Sequence, residues 1–153
     1  MSDLRDLYQE LILDHGQKPR NHRTIEGCEA HEGCRQAEGY NPLCGDKLTL
    51  YFETEGDLIA DVAFEGAGCA IFTASSSLLT DALKGKSVDE ARVLMNEFLE
   101  MLTDEDSTPD IAALGKLAVF AGVREYPVRV KCASLAWRTL EAALDGAAEA
   151  STE

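Results

Sequence analysis

The chain has 153 residues, 45% of them hydrophobic, the size of one ordinary domain with enough apolar material for a core. Its 14 basic and 28 acidic residues leave a formal net charge of −14 at pH 7, which repels nucleic acid and anionic membrane and argues against both as partners. No apolar run approaches the length that crosses a bilayer, and the acidic, amphipathic start MSDLRDLYQELILDH lacks the order of a signal peptide, so a cytoplasmic protein is expected.

There is no repeat, low-complexity linker or compositional break, and a single domain over residues 1–153 is expected, with a flexible tail from about residue 146. Leu4, Leu7, Tyr8, Leu11 and Ile12 follow helical spacing after Ser2, a capping residue, which predicts a helix over 3–14. Residues 16–41, polar and rich in Gly, His and Glu, read as loop with a strand in the second half. The period then changes. Leu48, Leu50 and Phe52 alternate with polar positions, Glu55-Gly56-Asp57 turns, and Leu58, Ala60, Val62 and Phe64 alternate in turn, which is a hairpin.

From Cys69 onward the pattern is helical to the end. Ile71, Ala74, Ser75, Leu78, Leu79 and Ala82 form one stripe closed by Gly85. Ser87 and Glu90 predict a capping box for a helix that turns Ala91, Leu94, Met95, Phe98 and Leu102 inward. Thr108-Pro109 predicts the start of a shorter helix over 110–121, stopped at Gly122, and a long helix follows over 128–145. A helix, a small antiparallel sheet of about three strands and a run of helices make an α+β domain.

Five cysteines without an export signal favour metal binding or catalysis over a disulfide framework. Three of them stand at element boundaries: Cys44 before the first clear strand, Cys69 after a glycine-flanked turn, and Cys132 in the first turns of the last helix. A thiol near a helix N-terminus is acidified by the dipole, and the thiolate is the form that binds metal or attacks sulfur. Each cysteine alone is equally well a small buried hydrophobe. Together with Asp46, two residues from Cys44, they could furnish a tetrahedral Cys₃Asp set, although spacing alone does not make them converge.

The stretches DHGQKPRN at 14–21, NPLCGD at 41–46, GAGCAI at 66–71 and RVKCASLAW at 129–137 resemble the IscU/NifU-type iron–sulfur assembly proteins along almost the whole chain. The resemblance is nearer to the SufU branch. The IscU branch carries a histidine before its last cysteine and an L-P-P-V-K motif, where this chain has Lys131 and EYPVRVK, and residues 103–126 also suit SufU. It implies a helix–sheet–helix fold of that kind, with Cys44, Asp46, Cys69 and Cys132 forming one site. In the SufU manner the site would hold Zn2+, and Cys44 would accept persulfide sulfur from a SufS-like cysteine desulfurase. In the IscU manner it would assemble a transient [2Fe–2S] cluster for downstream assembly or acceptor proteins. Arg129 resembles the arginine of an R-x-K-C pattern expected to help move Cys44 off the metal, and its alternative is a surface salt bridge. Lys131, in place of the histidine, favours zinc over cluster.

The remaining candidates are assigned structural or incidental roles. Cys28, His31 and Cys34 are spaced C-x₂-H-x₂-C, but they have no counterpart in the family and read as surface residues. His15 and His22 are expected at caps or on the surface, Trp137 between the last helix and the sheet, and Ser75-Ser76-Ser77 in close helix packing rather than nucleophilic catalysis.

Overall fold

The computed structural model describes residues 2–30, 32–104, 106–146 and 149–151, with the side chains of residues 2–8, 29 and 149–151 outside the description. His31, and the side chains of Leu4, Leu7 and Tyr8, therefore lie outside the described residues. Helix α1 spans Ser2–Gln17, so Ser2 begins the helix and its end extends beyond the predicted one. Strands β1 (Cys34–Asn41), β2 (Asp46–Glu55) and β3 (Leu58–Ala67) form the antiparallel sheet. Then come α2 (Ala70–Leu83), α3 (Val88–Thr103), the single turn α4 (Ile111–Leu114), a 3₁₀ run at Gly115–Glu125, α5 (Pro127–Leu144) and a short β4 (Glu149–Ser151).

The sheet order is β3-β2-β1-β4, and β4 pairs parallel to β1 in the region expected to be a flexible tail. Leu48, Leu50 and Phe52 of β2 pair with Gly66, Phe64 and Val62 of β3, and this row faces the core. A bulge at Glu53/Thr54 corrects the predicted β3 alternation. One extra residue shifts the phase of a strand, so Ile59 turns inward while Leu58 stays exposed. On the other face Tyr51, read as a solvent position, is buried, and the chain between α1 and β1 is not free loop. Asn21 and Arg23 bond the backbone of Phe64 on the β3 edge, and Gly33 accepts from Thr54 beside β1, so residues 24–32 connect opposite sides of the sheet.

That connection is tied by a disulfide between Cys28 and Cys34, with Cys28 buried, which corrects the reading of both as incidental surface residues. Their separation of six residues brings two Cα atoms within 5.1 Å, a distance that a disulfide spans.

Helix α5 packs on β1, α2 on β3, and α1 lies along α2. Trp137 lies in one core with the inward residues of the sheet, stacks on Phe98 of α3 at 4.4 Å and donates from Nε1 to Ser75 Oγ of α2. The three serines are packing groups, as read from the sequence. Ser75 Oγ donates to the Ala133 carbonyl and Ser76 Oγ to that of Phe72, while Ser77 Oγ accepts from the Arg20 backbone N–H. Ser77 also meets His15 Nδ1 at 2.6 Å, so His15 is a buried link between α1 and α2 rather than a surface or capping residue. His22 stacks on Phe64 at 4.8 Å. The predicted capping box at Ser87 and Glu90 is formed, and Ala91, Leu94, Met95, Phe98 and Leu102 are buried. The predicted 110–121 helix is only one α-turn, capped by Asp110, because Gly115 adopts φ +54° and the chain continues as 3₁₀.

Candidate metal and sulfur site

Three element ends meet at one corner of the sheet. Antiparallel pairing sets Asn41, the last residue of β1, opposite Asp46, the first of β2, and the tight connection holds Cys44 at its tip. The Gly45 N–H closes this turn on the Asn41 carbonyl at 2.8 Å. The β3–α2 junction brings Cys69 as the N-cap of α2, its sulfur accepting from the Phe72 N–H at 3.5 Å. Helix α5 contributes Cys132 from its second turn.

Cys44, Asp46 and Cys132 place their ligand atoms within 4.8 Å of one another. Cys132 Sγ donates to Cys44 Sγ at 3.4 Å. Cys69 stands outside this tightest group but borders it, since its backbone N–H donates to Asp46 Oδ1 at 3.0 Å. Its position depends on Gly68: a Cβ there would come within 2.4 Å of Asp46 Oδ1 and 2.6 Å of Phe72 Cδ2. Any side chain at 68 would thus push the β3–α2 turn away from the carboxylate.

The site is asymmetric in exposure. Asp46 and Cys132 are buried, whereas Cys44 and Cys69 are exposed. Burial pushes the Cys132 thiol well above the ordinary cysteine range, helped by hydrogen bonds with Cys44, Asp46 and Cys69 and by the charge of Cys69. Burial of a thiol disfavours its charged form, so the direction of this shift is set by desolvation. A bound cation reverses that balance, because metal coordination deprotonates a thiol outright.

The donor set suits a thiophilic metal in a tetrahedral site. Two sulfurs sharing a zinc at about 2.3 Å would sit about 3.8 Å apart, and the observed 3.4 Å is only slightly shorter. Asp46 has one oxygen bonded by the Cys69 N–H and the other by Asn41 Nδ2 at 3.2 Å, which fixes the carboxylate while leaving lone pairs on both oxygens.

Arg129 lies on the exposed side of α5, its guanidinium 4.5 Å above the Tyr126 ring, and makes no ion pair among the described residues. Lys131 is half-buried beside Cys132. The site residue that sequence reasoning passed over is Asn41, fully buried with its amide against Asp46 and Cys132. Its signal was present in the hairpin register, which sets it across from Asp46.

The family described as NifU-like N terminal domain matches residues 7–144. An iron–sulfur cluster assembly scaffold protein IscU of Streptococcus pyogenes serotype M1 is 40% identical over 150 residues, covering 98% of this chain and 90% of its own. The zinc-dependent sulfurtransferase SufU of Bacillus subtilis strain 168 is 35% identical over 140 residues, covering 92% and 90%. Among solved structures, FiSufU of Fervidobacterium islandicum AW-1, described as an iron–sulfur cluster assembly scaffold for the SUF system, superposes with a TM-score of 0.81 at 39% identity. It covers 92% of this chain and 98% of that one.

Proposed function

Because the chain belongs to the NifU-like N-terminal domain family of iron–sulfur cluster assembly proteins, we propose that it is a zinc-dependent sulfur acceptor, taking persulfide sulfur from a cysteine desulfurase onto Cys44. The observation that carries this reading is the exposure of Cys44 on a site whose Asp46 and Cys132 are buried. A partner's persulfide can reach this thiol without opening the core. Cys44, Asp46, Cys69 and Cys132 would hold the zinc, which when bound keeps the thiols deprotonated at neutral pH.

The transfer balances without an added oxidant or reductant. The Cys44 thiolate attacks the terminal sulfur of the desulfurase persulfide, a new S–S bond forms at Cys44, and the old S–S bond breaks. Its electron pair leaves on the desulfurase cysteine as thiolate. Arg129, exposed one helical turn before Cys132 and without an ion pair among the described residues, would draw the Cys44 thiolate outward toward the docked partner. Lys131 stands where a cluster-binding relative would carry histidine, which supports the sulfur-acceptor reading.

A second reading has support in the relative from Streptococcus pyogenes, named a scaffold. In it a [2Fe–2S] cluster is cargo, built at the same residues and handed to an acceptor protein. Metal analysis of protein purified without added metal distinguishes the two. The first reading predicts about one zinc per chain, removed by a strong chelator with a fall in Tm, because the ligands join three separate elements. It also predicts faster alanine release from cysteine when the protein is added to a SufS-like desulfurase. Brown protein with iron and acid-labile sulfide and no zinc would establish the scaffold instead.

A further inference from the structure

Asn41 is fully buried at the end of β1, and its amide faces only site residues. Nδ2 carries two hydrogens. It donates to Asp46 Oδ2 at 3.2 Å and to Cys132 Sγ at 3.7 Å, so both are committed. The amide orientation follows from these partners. Turned over, Oδ1 would face a carboxylate and a sulfur, both acceptors, and repel them. Oδ1 itself is buried with no hydrogen-bond partner among the described residues. A side chain present only to fill the corner would not leave a buried carbonyl oxygen unpaired, since that is costly and an apolar residue of the same shape avoids it.

The hydrogen bonds around the site divide the four arms unequally. Asp46 is held by Asn41 and by the Cys69 N–H, Cys132 by Asn41, and Cys69 by the Phe72 N–H. Among the described residues Cys44 receives a bond only from the Cys132 thiol, and it stands exposed at the tip of its turn. Resting on the sulfur-acceptor reading, we infer that Asn41 is a positioning residue whose amide holds Asp46 and Cys132 as the fixed half of the site, leaving Cys44 as the arm that can be released. A donated N–H also withdraws charge from the Cys132 sulfur, and so tunes any metal bound to it.

Cobalt(II) added to the metal-free full-length chain tests this, because thiolate-to-cobalt charge-transfer bands report the electron density on the sulfurs. Asn41→Leu keeps the shape without a donor, and Asn41→Gln keeps a donor. With Asn41→Leu the charge-transfer band moves to lower energy and cobalt affinity falls about ten- to hundredfold. With Asn41→Gln both recover in part. If Asn41→Leu fails to fold, Asn41→Ser, with one hydroxyl donor, gives an intermediate band position. A band and an affinity unchanged in Asn41→Leu overturn the inference, whatever happens to sulfur transfer. A wild-type chain that gives these bands but takes up persulfide elsewhere than Cys44 overturns the acceptor reading and leaves the role of Asn41 in metal binding intact. A wild-type chain that binds neither cobalt nor zinc overturns both.

Discussion

Cys44 and Asp46 sit two residues apart, yet the turn between them gives them opposite circumstances. Cys44 is exposed at the tip, and Asp46 is buried with both oxygens already bonded. Removing either therefore has a different consequence. Cys44→Ser abolishes sulfur acceptance but leaves Asp46, Cys69 and Cys132, so zinc is weakened rather than excluded. Asp46→Ala removes the carboxylate that joins β2 to the α2 cap and to Asn41, and zinc affinity falls at least ten- to hundredfold. Activity falls with it, while Cys44 still reacts with an alkylating probe. Metal titration and alkylation of both variants check this, and equal zinc affinity in Asp46→Ala and wild type would remove Asp46 from the site. Cys28 lies in a disulfide at the far end of β1 from this turn, so Cys28→Ala should leave sulfur acceptance intact.

At the scale of elements, the site depends on how α1 and α2 dock, because Cys69 is the N-cap of α2. Their buried link is His15 to Ser77, and burial lowers the His15 pKa, with the charge of Arg20 adding to it. A lowered histidine pKa means that the unfolded chain binds the proton first. The stabilisation is therefore complete above the ordinary imidazole value of about 6.5 and is lost as pH falls toward the folded-state value. Urea midpoints of the wild type should drop between pH 7 and pH 5, and His15→Gln should flatten that slope. An unchanged slope would show that the His15 contact is not where the pH dependence arises.

The elements were legible where one local rule governed. The β2 alternation, the capping box at Ser87 and the start of α5 at Pro127 all follow from nearest neighbours. Elements that depend on distant partners were not. β4 exists through pairing with β1, and the inward turn of Ile59 through a bulge against β2. The same division holds at the proposed site. Cys44, Asp46, Cys69 and Cys132 are nominated by their motifs, but their unequal burial and the place of Asn41 beside Asp46 and Cys132 appear only when three elements come together.

Across the whole molecule, the arrangement joins a packed interior to two surface thiols, Cys44 and Cys69, with Cys44 at the tip of its turn. The packed centre, Trp137 stacked on Phe98 and Phe98 edge-on to Phe120, fixes α5 and hence Cys132. The hairpin and the β3–α2 junction then present Cys44 and Cys69 at the surface, with exposed Leu43, Tyr126 and Val128 on the Cys44 turn and at the start of α5. Under the proposed function, a chain with net charge −14 and an apolar, Arg129-bearing rim would offer a partner enzyme a local contact that differs from the rest of its surface. The central claim is that sulfur arriving at this rim is taken by Cys44. Peptide mass spectrometry after incubation with a SufS-like desulfurase and cysteine measures it directly. An added sulfur is expected on the peptide carrying Cys44 and none on those carrying Cys69 or Cys132. Persulfide on Cys69 or Cys132, with Cys44 unmodified, would contradict it.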